Sequence, residues 1–123
     1  MGKRVLVVED DAQNSYLIGF ILERHGYEVI AAADGEQALV EAEKAVPDLI
    51  LMDMLLPKMN GYEATRRIKA HPETKDVPVV ALTAYSMKGD REKILESGCD
   101  GYISKPIDPE TFVSEMERFF TTS

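Results

Sequence analysis

The stretch DLILMDMLLP, residues 48–57, carries a strong signal for the fold of this chain. Its apolar run at residues 49–52 is continuous rather than alternating, which is typical of a strand buried on both faces of a parallel sheet. The run ends in Asp53, and apolar residues resume directly afterwards. A carboxylate in such surroundings must be hydrogen-bonded, paired with a cation or kept for chemistry. The residues that accompany Asp53 at the end of this strand therefore decide its role.

Short aliphatic or β-branched runs alternate with longer segments of helical spacing along the whole chain. The short runs predict five strands, at residues 5–8, 28–32, 49–52, 77–82 and 101–104. The helical segments between and after them run from Leu17 to Leu22, Ala38 to Val46, Tyr62 to Ile68, Met87 to Leu95 and Phe112 to Phe120. Asp108, Pro109 and Glu110 form a typical helix start before the last segment.

This alternation predicts an α/β domain in which helices cover both faces of a mostly parallel sheet. For 123 residues, the common solution is a flavodoxin-like (βα)5 doubly wound sandwich with a five-stranded sheet of order 2-1-3-4-5. No Pro-, Gly- or Ser-rich linker divides the chain, and the last helical pattern reaches Phe120. Residues 1–123 are therefore expected to form one domain with no output domain.

The composition narrows the classes of partner. The net charge of −8, from 14 basic and 22 acidic residues, disfavours nucleic-acid binding because phosphates would be repelled. No apolar run approaches the roughly 18 residues that span a bilayer, and the N-terminus lacks the layout of a secretion signal. The single Cys99 cannot form an internal disulfide, which fits a reducing compartment. We expect a cytoplasmic protein that binds neither nucleic acid nor membrane and whose partners are proteins.

Polar residues follow four of the five predicted strands. Glu9 and Asp10 follow the first strand, Asp53 the third, Thr83 the fourth and Lys105 the fifth. Each alone has an ordinary structural explanation, because acids often end strands and a loop lysine is usually solvated. The carboxyl ends of parallel strands, however, meet at one edge of a sheet, where α/β folds bind their ligands. The coincidence predicts one polar site.

This set of side chains suits phosphoryl chemistry. Carboxylates open to water are the ligands that Mg²⁺ prefers, together with a phosphate. Asp53 can act as a nucleophile and become an acyl phosphate. Lys105 would then pair with the phosphoryl oxygens, and Thr83 would donate a hydrogen bond to them. Asp53 is accordingly predicted to be a phosphoacceptor.

Four motifs in this order and spacing resemble the receiver domain of two-component response regulators. They are VLVVEDD at residues 5–11, DLILMDMLLPKMNGYE at 48–63, VVALTA at 79–84 and GYISKP at 101–106. The resemblance runs from about Lys3 to Phe120. Within the family, residues 83–107 are similar to single-domain cell-division regulators of the DivK type and to receivers attached to hybrid histidine kinases.

The resemblance implies a role for each residue of the metal site. Asp53 would be the phosphorylated aspartate. Asp10 would contact Mg²⁺ directly, Glu9 through water, and the backbone carbonyl of Leu55 would supply a further oxygen. Mn²⁺ can substitute for Mg²⁺ in such sites.

The resemblance also implies a switch. Thr83 would be the switch hydroxyl, Tyr102 the switch aromatic and Lys105 the phosphoryl contact, with a cis peptide at Pro106. Apolar groups at Leu55 and Tyr85 would shield the acyl phosphate from water, so that slow hydrolysis is expected.

The implied partners are proteins. A histidine kinase or a histidine phosphotransfer protein would donate the phosphoryl group, and phosphorylation would switch a surface formed by the fourth helix, fifth strand and fifth helix. A downstream protein would read that surface. The chain would be a monomer or a weak phosphorylation-dependent dimer, and it would catalyse only its own phosphorylation and dephosphorylation.

Three alternatives start from the same fold. A phosphatase of the haloacid-dehalogenase type needs an acid two residues after the nucleophile, where this chain has Leu55. A flavodoxin-like FMN binder needs hydroxyls and amides after the first strand, where Glu9-Asp10-Asp11 would repel the phosphate. A degenerate receiver that binds partners without phosphorylation would not need all five polar residues of the predicted site.

Overall fold

The computed structural model describes residues 3–54, 60–83, 88–105 and 107–120. Strands and helices alternate through these ranges, as the sequence predicts. In chain order the elements are β1 Arg4–Val8, α1 Ala12–Arg24, β2 Glu28–Ala32, α2 Gly35–Ala45, β3 Leu49–Asp53, α3 Gly61–Ala70, β4 Val79–Thr83, α4 Lys88–Glu96, β5 Gly101–Ser104 and α5 Phe112–Glu117.

The five strands form one sheet in the order β2-β1-β3-β4-β5, and every neighbouring pair is parallel. The predicted flavodoxin-like fold and strand order are confirmed. The register aligns Val8 with Met52, Asp53 with Leu82, and Thr83 with Ser104. The carboxyl ends of β1, β3, β4 and β5 therefore lie at nearly the same level, so that the residues following them converge.

Two apolar layers cover the sheet, one on each face. One layer packs α1 and α5 against the sheet through buried residues that include Ile18, Leu22, Phe112 and Met116. The other packs α2, α3 and α4 through residues that include Ala38, Ala42, Ile68 and Ile94. Strands β3 and β4 are buried at every position, because both of their faces meet helices. Among the described residues, no helix has both the length and the apolar character that a membrane crossing would require.

The last helix begins later than its sequence signal suggests. The Asp108 side chain accepts a hydrogen bond from the Glu110 N–H at 2.9 Å, and its carbonyl accepts one from the Phe112 N–H at 2.9 Å. These bonds close a turn that precedes α5, which starts at Phe112. Asp108 thus caps the turn rather than the first residue of the helix.

The spacing of apolar residues predicts Val46 on the apolar face of α2, but the structure places it outside the helix. The helix ends at Ala45, and Val46 adopts a left-handed conformation with φ 41° and ψ 73° and is 45% exposed. Because Pro47 disfavours the helical conformation for the residue before it, the chain leaves the helix at this point. A left-handed conformation is strained for a β-branched residue.

Candidate functional site

A cleft of about 300 Å³ lies at the carboxyl edge of the sheet. Its position follows from the strand order, since β1 and β3 are neighbours whose following loops lead to opposite faces of the sheet. The cleft is lined by Glu9, Asp10, Asp11, Asn14, Asp53, Met54, Leu82, Thr83 and Lys105. All of the described residues of the predicted metal and phosphoryl site are in this set.

Backbone hydrogen bonds between strand ends fix the polar residues at the cleft. The Glu9 N–H donates to the Ala32 carbonyl at 3.0 Å, which extends the pairing of β1 with β2 by one residue. The Lys105 N–H donates to the Thr83 carbonyl at 2.7 Å and extends the pairing of β5 with β4 in the same way. The positions of these side chains are thus set by the sheet rather than by free loops.

Three carboxylates face one ammonium group in the cleft. Glu9, Asp10 and Asp53 each place one oxygen so that the three atoms lie within 4.8 Å of one another. Lys105 Nζ lies 3.0 Å from Glu9 Oε2 and 3.5 Å from Asp53 Oδ2. Glu9 and Asp53 are only 4% and 5% exposed, whereas Asp10 is exposed. With all groups ionised, three negative charges meet one positive charge, and this imbalance favours a further cation.

The two carboxylate oxygens of Glu9 have different partners among the described residues. Oε1 accepts from the Asp11 N–H at 3.2 Å, but the fully buried Oε2 accepts none from the described residues, its approach to Lys105 being an ion pair without hydrogen-bond geometry. Burial raises the pKa of the Glu9 carboxyl to about 7, and the neighbouring Asp53 carboxylate reinforces the rise while Lys105 opposes it. Burial alone would lower the pKa of Lys105, but the two carboxylates outweigh it and raise that pKa.

The donor set fits a hard divalent cation. Mg²⁺ is bound by one or two carboxylates, several waters and phosphate oxygens rather than by a closed protein cage. The cleft supplies three carboxylates, one of them on its exposed side, and a buried oxygen of Glu9 whose partner among the described residues is the Lys105 ammonium at 3.0 Å. A cation beside these groups would give the buried Glu9 oxygen a further partner and would balance the excess negative charge.

Thr83 and Tyr102, the predicted switch residues, lie on one face of the sheet. Tyr102 is half-buried and packs against the apolar layer that contains Ala81. Thr83 follows Ala81 by two positions, and side chains two apart on a strand point to the same face. Thr83 itself is 7% exposed and lines the cleft. Because Tyr102 pairs with Ala81 in the sheet, it lies close to Thr83 on this face.

Four residues that line the cleft are absent from the predicted site: Asp11, Asn14, Met54 and Leu82. Asn14 lies in the first turn of α1, and Met54 follows β3. Neither carries a sequence signal, since an Asn in a helix and a Met in an apolar run are ordinary. Asp11, by contrast, caps α1 by accepting from the Gln13 and Asn14 N–H groups at 2.9 and 3.3 Å. It is outside the group of acids that share one ligand position.

Three of the predicted positions lie outside the described residues. They are Leu55, Tyr85 and Pro106.

Known proteins share both the sequence pattern and this fold. The family model of the response regulator receiver domain matches residues 5–117. The polar-differentiation response regulator DivK of Brucella anthropi is 43% identical over 119 residues, which cover 97% of each chain.

Among solved structures, the receiver domain of a sensor histidine kinase from Pseudomonas aeruginosa has a magnesium ion coordinated in its active-site cleft. It is 40% identical to this chain, with a TM-score of 0.89 and coverage of 97% of this chain and 98% of that one. The chemotaxis response regulator CheY4 of Vibrio cholerae is 31% identical, with a TM-score of 0.93 and coverage of 98% and 100%. Motifs, fold and relatives agree, and the chain belongs to the response regulator receiver domain family.

Proposed function

We propose that this protein is a magnesium-dependent phosphoacceptor of a phosphorelay and that Asp53 is the residue phosphorylated. The observation that carries the proposal is the grouping of Glu9, Asp10 and Asp53 within 4.8 Å, with Lys105 beside them at the end of the sheet. An apolar strand ending in a buried acid has no structural need for two further acids. A site that receives a phosphoryl group does need them.

The transfer step is a displacement at phosphorus. A carboxylate oxygen of Asp53 forms a bond to the phosphorus atom of the donor, and the bond from phosphorus to the donor's leaving atom breaks. The leaving group, an imidazole of a phosphohistidine or acetate from acetyl phosphate, keeps the electron pair of that bond. The product is an acyl phosphate on Asp53.

The side chains around Asp53 have separate tasks in this step. Lys105 Nζ is already 3.5 Å from Asp53 Oδ2 and can pair with an oxygen of the arriving phosphoryl group. Thr83 lines the same cleft and can donate a hydrogen bond to another phosphoryl oxygen. Both contacts strengthen as negative charge gathers on the transferred group.

Glu9, Asp10 and Asp53, with the backbone carbonyl of Leu55, would hold the metal ion. When bound, Mg²⁺ would neutralise charge on the transferring phosphoryl oxygens. Glu9 and Asp10 keep the acidic charge that retains the ion after Asp53 has been modified.

The output surface that we propose is formed by α4, β5 and α5. Ile94 is the buried apolar side chain among the described positions 92–96 of α4, and the neighbouring Leu95 is 48% exposed. A hydrogen bond from Thr83 to the phosphoryl group would vacate space into which Tyr102 turns. A shift from mostly off to mostly on requires roughly 3–5 kcal/mol of differential interaction, which several charge-assisted hydrogen bonds can supply.

Partners and setting follow from this chemistry. A histidine kinase or histidine phosphotransfer protein would supply the phosphoryl group in the cytoplasm, and a downstream protein would bind the switched surface. Residues 1–123 would act as a single receiver, monomeric or weakly dimeric after phosphorylation. The protein would catalyse its own phosphorylation and dephosphorylation and would turn over no external substrate.

The decisive experiment is incubation with Mg²⁺ and acetyl phosphate, followed by intact mass. Wild type is expected to gain about 80 Da, the mass of one phosphoryl group as HPO₃, whereas Asp53→Asn gains nothing. The matched control is Asp48→Asn, at the entry to the same strand, where the amide oxygen can still accept the 2.8 Å hydrogen bond from the Arg4 N–H. An adduct on Asp53→Asn, or none on wild type, would refute the proposal, and the latter result would favour a degenerate receiver.

A further inference from the structure

Gly61, the first residue of α3, packs directly against the backbone at the end of β3. Its N–H donates to the Met54 carbonyl at 3.2 Å, and Met54 is the residue that follows Asp53. The helix is capped independently by Asn60, whose side chain accepts from the Glu63 N–H at 3.0 Å. Gly61 is therefore not needed for the cap itself, and its contact with the acceptor strand is a separate feature.

A side chain at this position would have no space. An ideal Cβ on Gly61 would lie 2.5 Å from the Asp53 carbonyl oxygen, 2.7 Å from Met54 Cα and 3.0 Å from Met54 Cε. The positive φ angles among the described glycines belong to Gly26 and Gly98, so the backbone of Gly61 does not itself demand glycine. Glycine is required here by the contact rather than by the conformation.

We propose that Gly61 is a positioning residue for the phosphoacceptor, and this inference rests on the function proposed above. Without a Cβ, α3 can seat against the Asp53–Met54 peptide. This contact holds the Asp53 carboxylate in register with the acids of Glu9 and Asp10. Gly61 does not touch the reacting atoms and acts through the backbone of Asp53.

The size of the displacement supports this role. Moving the Asp53 carbonyl oxygen from 2.5 Å to an ordinary contact of 3.4 Å would take a shift of about 0.9 Å. Catalytic and metal-binding groups tolerate misplacement of only about 0.5 Å. Since the two nearest atoms are backbone atoms of the acceptor residue and its neighbour, turning the Met54 side chain would not relieve the strain.

Gly101 offers a matched control in the same fold. Its ideal Cβ would lie 2.2 Å from Phe119 Cε1, which is an even closer approach. The obstacle there is the ring of Phe119, a half-buried side chain in the apolar layer of α1 and α5, and the ring can turn away. Gly61→Ala and Gly101→Ala thus both insert one methyl group into occupied space, but only the first pushes on the acceptor.

The test compares wild type, Gly61→Ala and Gly101→Ala in three measurements: Mg²⁺ affinity by titration calorimetry, the rate of adduct formation with acetyl phosphate, and the urea midpoint. Gly61→Ala is expected to weaken Mg²⁺ binding at least tenfold and to slow adduct formation at least tenfold. Gly101→Ala should keep its Mg²⁺ affinity and its adduct rate within twofold of wild type. This should hold even if its urea midpoint falls as much as that of Gly61→Ala. If Gly61 served stability alone, the two variants would lose Mg²⁺ affinity and adduct rate only in proportion to their loss of stability.

Two results would overturn the inference while leaving the proposed function standing. One is wild-type-like Mg²⁺ affinity in Gly61→Ala; the other is equal loss of affinity in Gly101→Ala. If wild type itself neither binds Mg²⁺ nor forms an adduct, the proposed function fails first.

A measurement on wild type covers the case in which Gly61→Ala does not fold. Saturating Mg²⁺ should slow hydrogen exchange of the Gly61 amide, which donates to Met54, and leave that of Gly26 unchanged. Equal exchange of the Gly61 amide with and without Mg²⁺ would contradict the coupling.

Discussion

Two lysine–aspartate pairs lie at opposite ends of this sheet, and they are built differently. Lys69 pairs with Asp100 before the amino ends of β4 and β5, and Lys105 pairs with Asp53 at the carboxyl ends. The two lysine side chains have nearly the same exposure, 21% and 20%. The aspartates differ, since the Asp100 side chain is 44% exposed and the Asp53 side chain only 7% exposed, and the hydrogen bonds of the two pairs differ as well.

The Lys69 pair is closed by the backbone. Lys69 Nζ donates to Asp100 Oδ2 at 2.9 Å and to the Val77 carbonyl at 2.8 Å. The same Asp100 oxygen accepts from the Val79 N–H at 2.8 Å. Each charge thus has short partners that are fixed by the strands, and the pair joins α3 to the start of β4.

The Lys105 pair is open by comparison. Its distances to Glu9 and Asp53 are 3.0 and 3.5 Å, and the buried Oε2 of Glu9 accepts no hydrogen bond from the described residues. The protein completes the hydrogen bonds of the Lys69 pair with short backbone contacts, whereas the looser Lys105 pair leaves room for the ligand that the proposed function requires.

The largest expected effect separates the two lysines by activity. Lys105→Met should slow adduct formation from acetyl phosphate by about 100-fold, because it removes a cation from the developing negative charge. Lys69→Met should change that rate by less than twofold. Initial rates from intact mass at fixed Mg²⁺ decide the matter, and equal losses in the two variants would erase the distinction.

The next effect concerns pH and is measured in EDTA, without metal. Because the folded-state pKa of Glu9 is about 7 against an ordinary 4.5, the folded protein holds a proton there that the unfolded chain releases. The contribution of Glu9 to stability is therefore greatest below pH 4.5 and declines as the pH rises to about 7. At about 1.4 kcal/mol per pH unit, the loss over this window is about 3 kcal/mol.

Glu9→Gln provides the reference for that measurement, since it lacks the titrating group. The difference in unfolding free energy between wild type and Glu9→Gln, from urea titrations at several pH values, should shift against wild type between pH 4.5 and 7. A difference that stays constant with pH would mean that Glu9 is not destabilised by its surroundings.

A smaller effect is expected at the closed pair. Asp100→Ala leaves Lys69 and the Val79 N–H without their carboxylate and should cost about 2 kcal/mol of unfolding free energy. Adduct formation should remain within twofold of wild type, since the cleft is at the other end of the sheet. Urea denaturation measures the stability of Asp100→Ala, and adduct rates on the same sample measure its activity. A loss of activity without a loss of stability would contradict the structural role of this pair.

The smallest effect is stabilisation by the ligand itself. At ten times its dissociation constant, Mg²⁺ should raise the unfolding free energy by about 1.4 kcal/mol, because it binds the folded state. Asp100→Ala should gain the same increment, whereas Asp53→Ala should gain less. If Asp53→Ala gained the full increment, the ion would have to bind elsewhere.

Particular residues show how far the sequence could be interpreted. The continuous apolar runs before Asp53 and Thr83 predict buried parallel strands, and both strands are buried throughout. The predicted helix boundaries at Asp108 and Val46 were wrong because they rested on local sequence signals alone. The capping acid closes a turn before α5, and the following proline takes Val46 out of α2. Helix ends depend on where the next element must go, which a local pattern does not contain.

The sequence was sufficient to predict the α/β order, the strand pairing and the convergence of Glu9, Asp10, Asp53, Thr83 and Lys105. It could do so because hydrophobic periodicity and the handedness of crossovers leave few topologies open. Three-dimensional contacts were needed to show which lysine–aspartate pair is closed, which oxygen of Glu9 faces Lys105, and why α3 begins with a glycine. These properties depend on contacts between residues far apart in the chain, at distances of a few ångströms that no spacing along the sequence encodes.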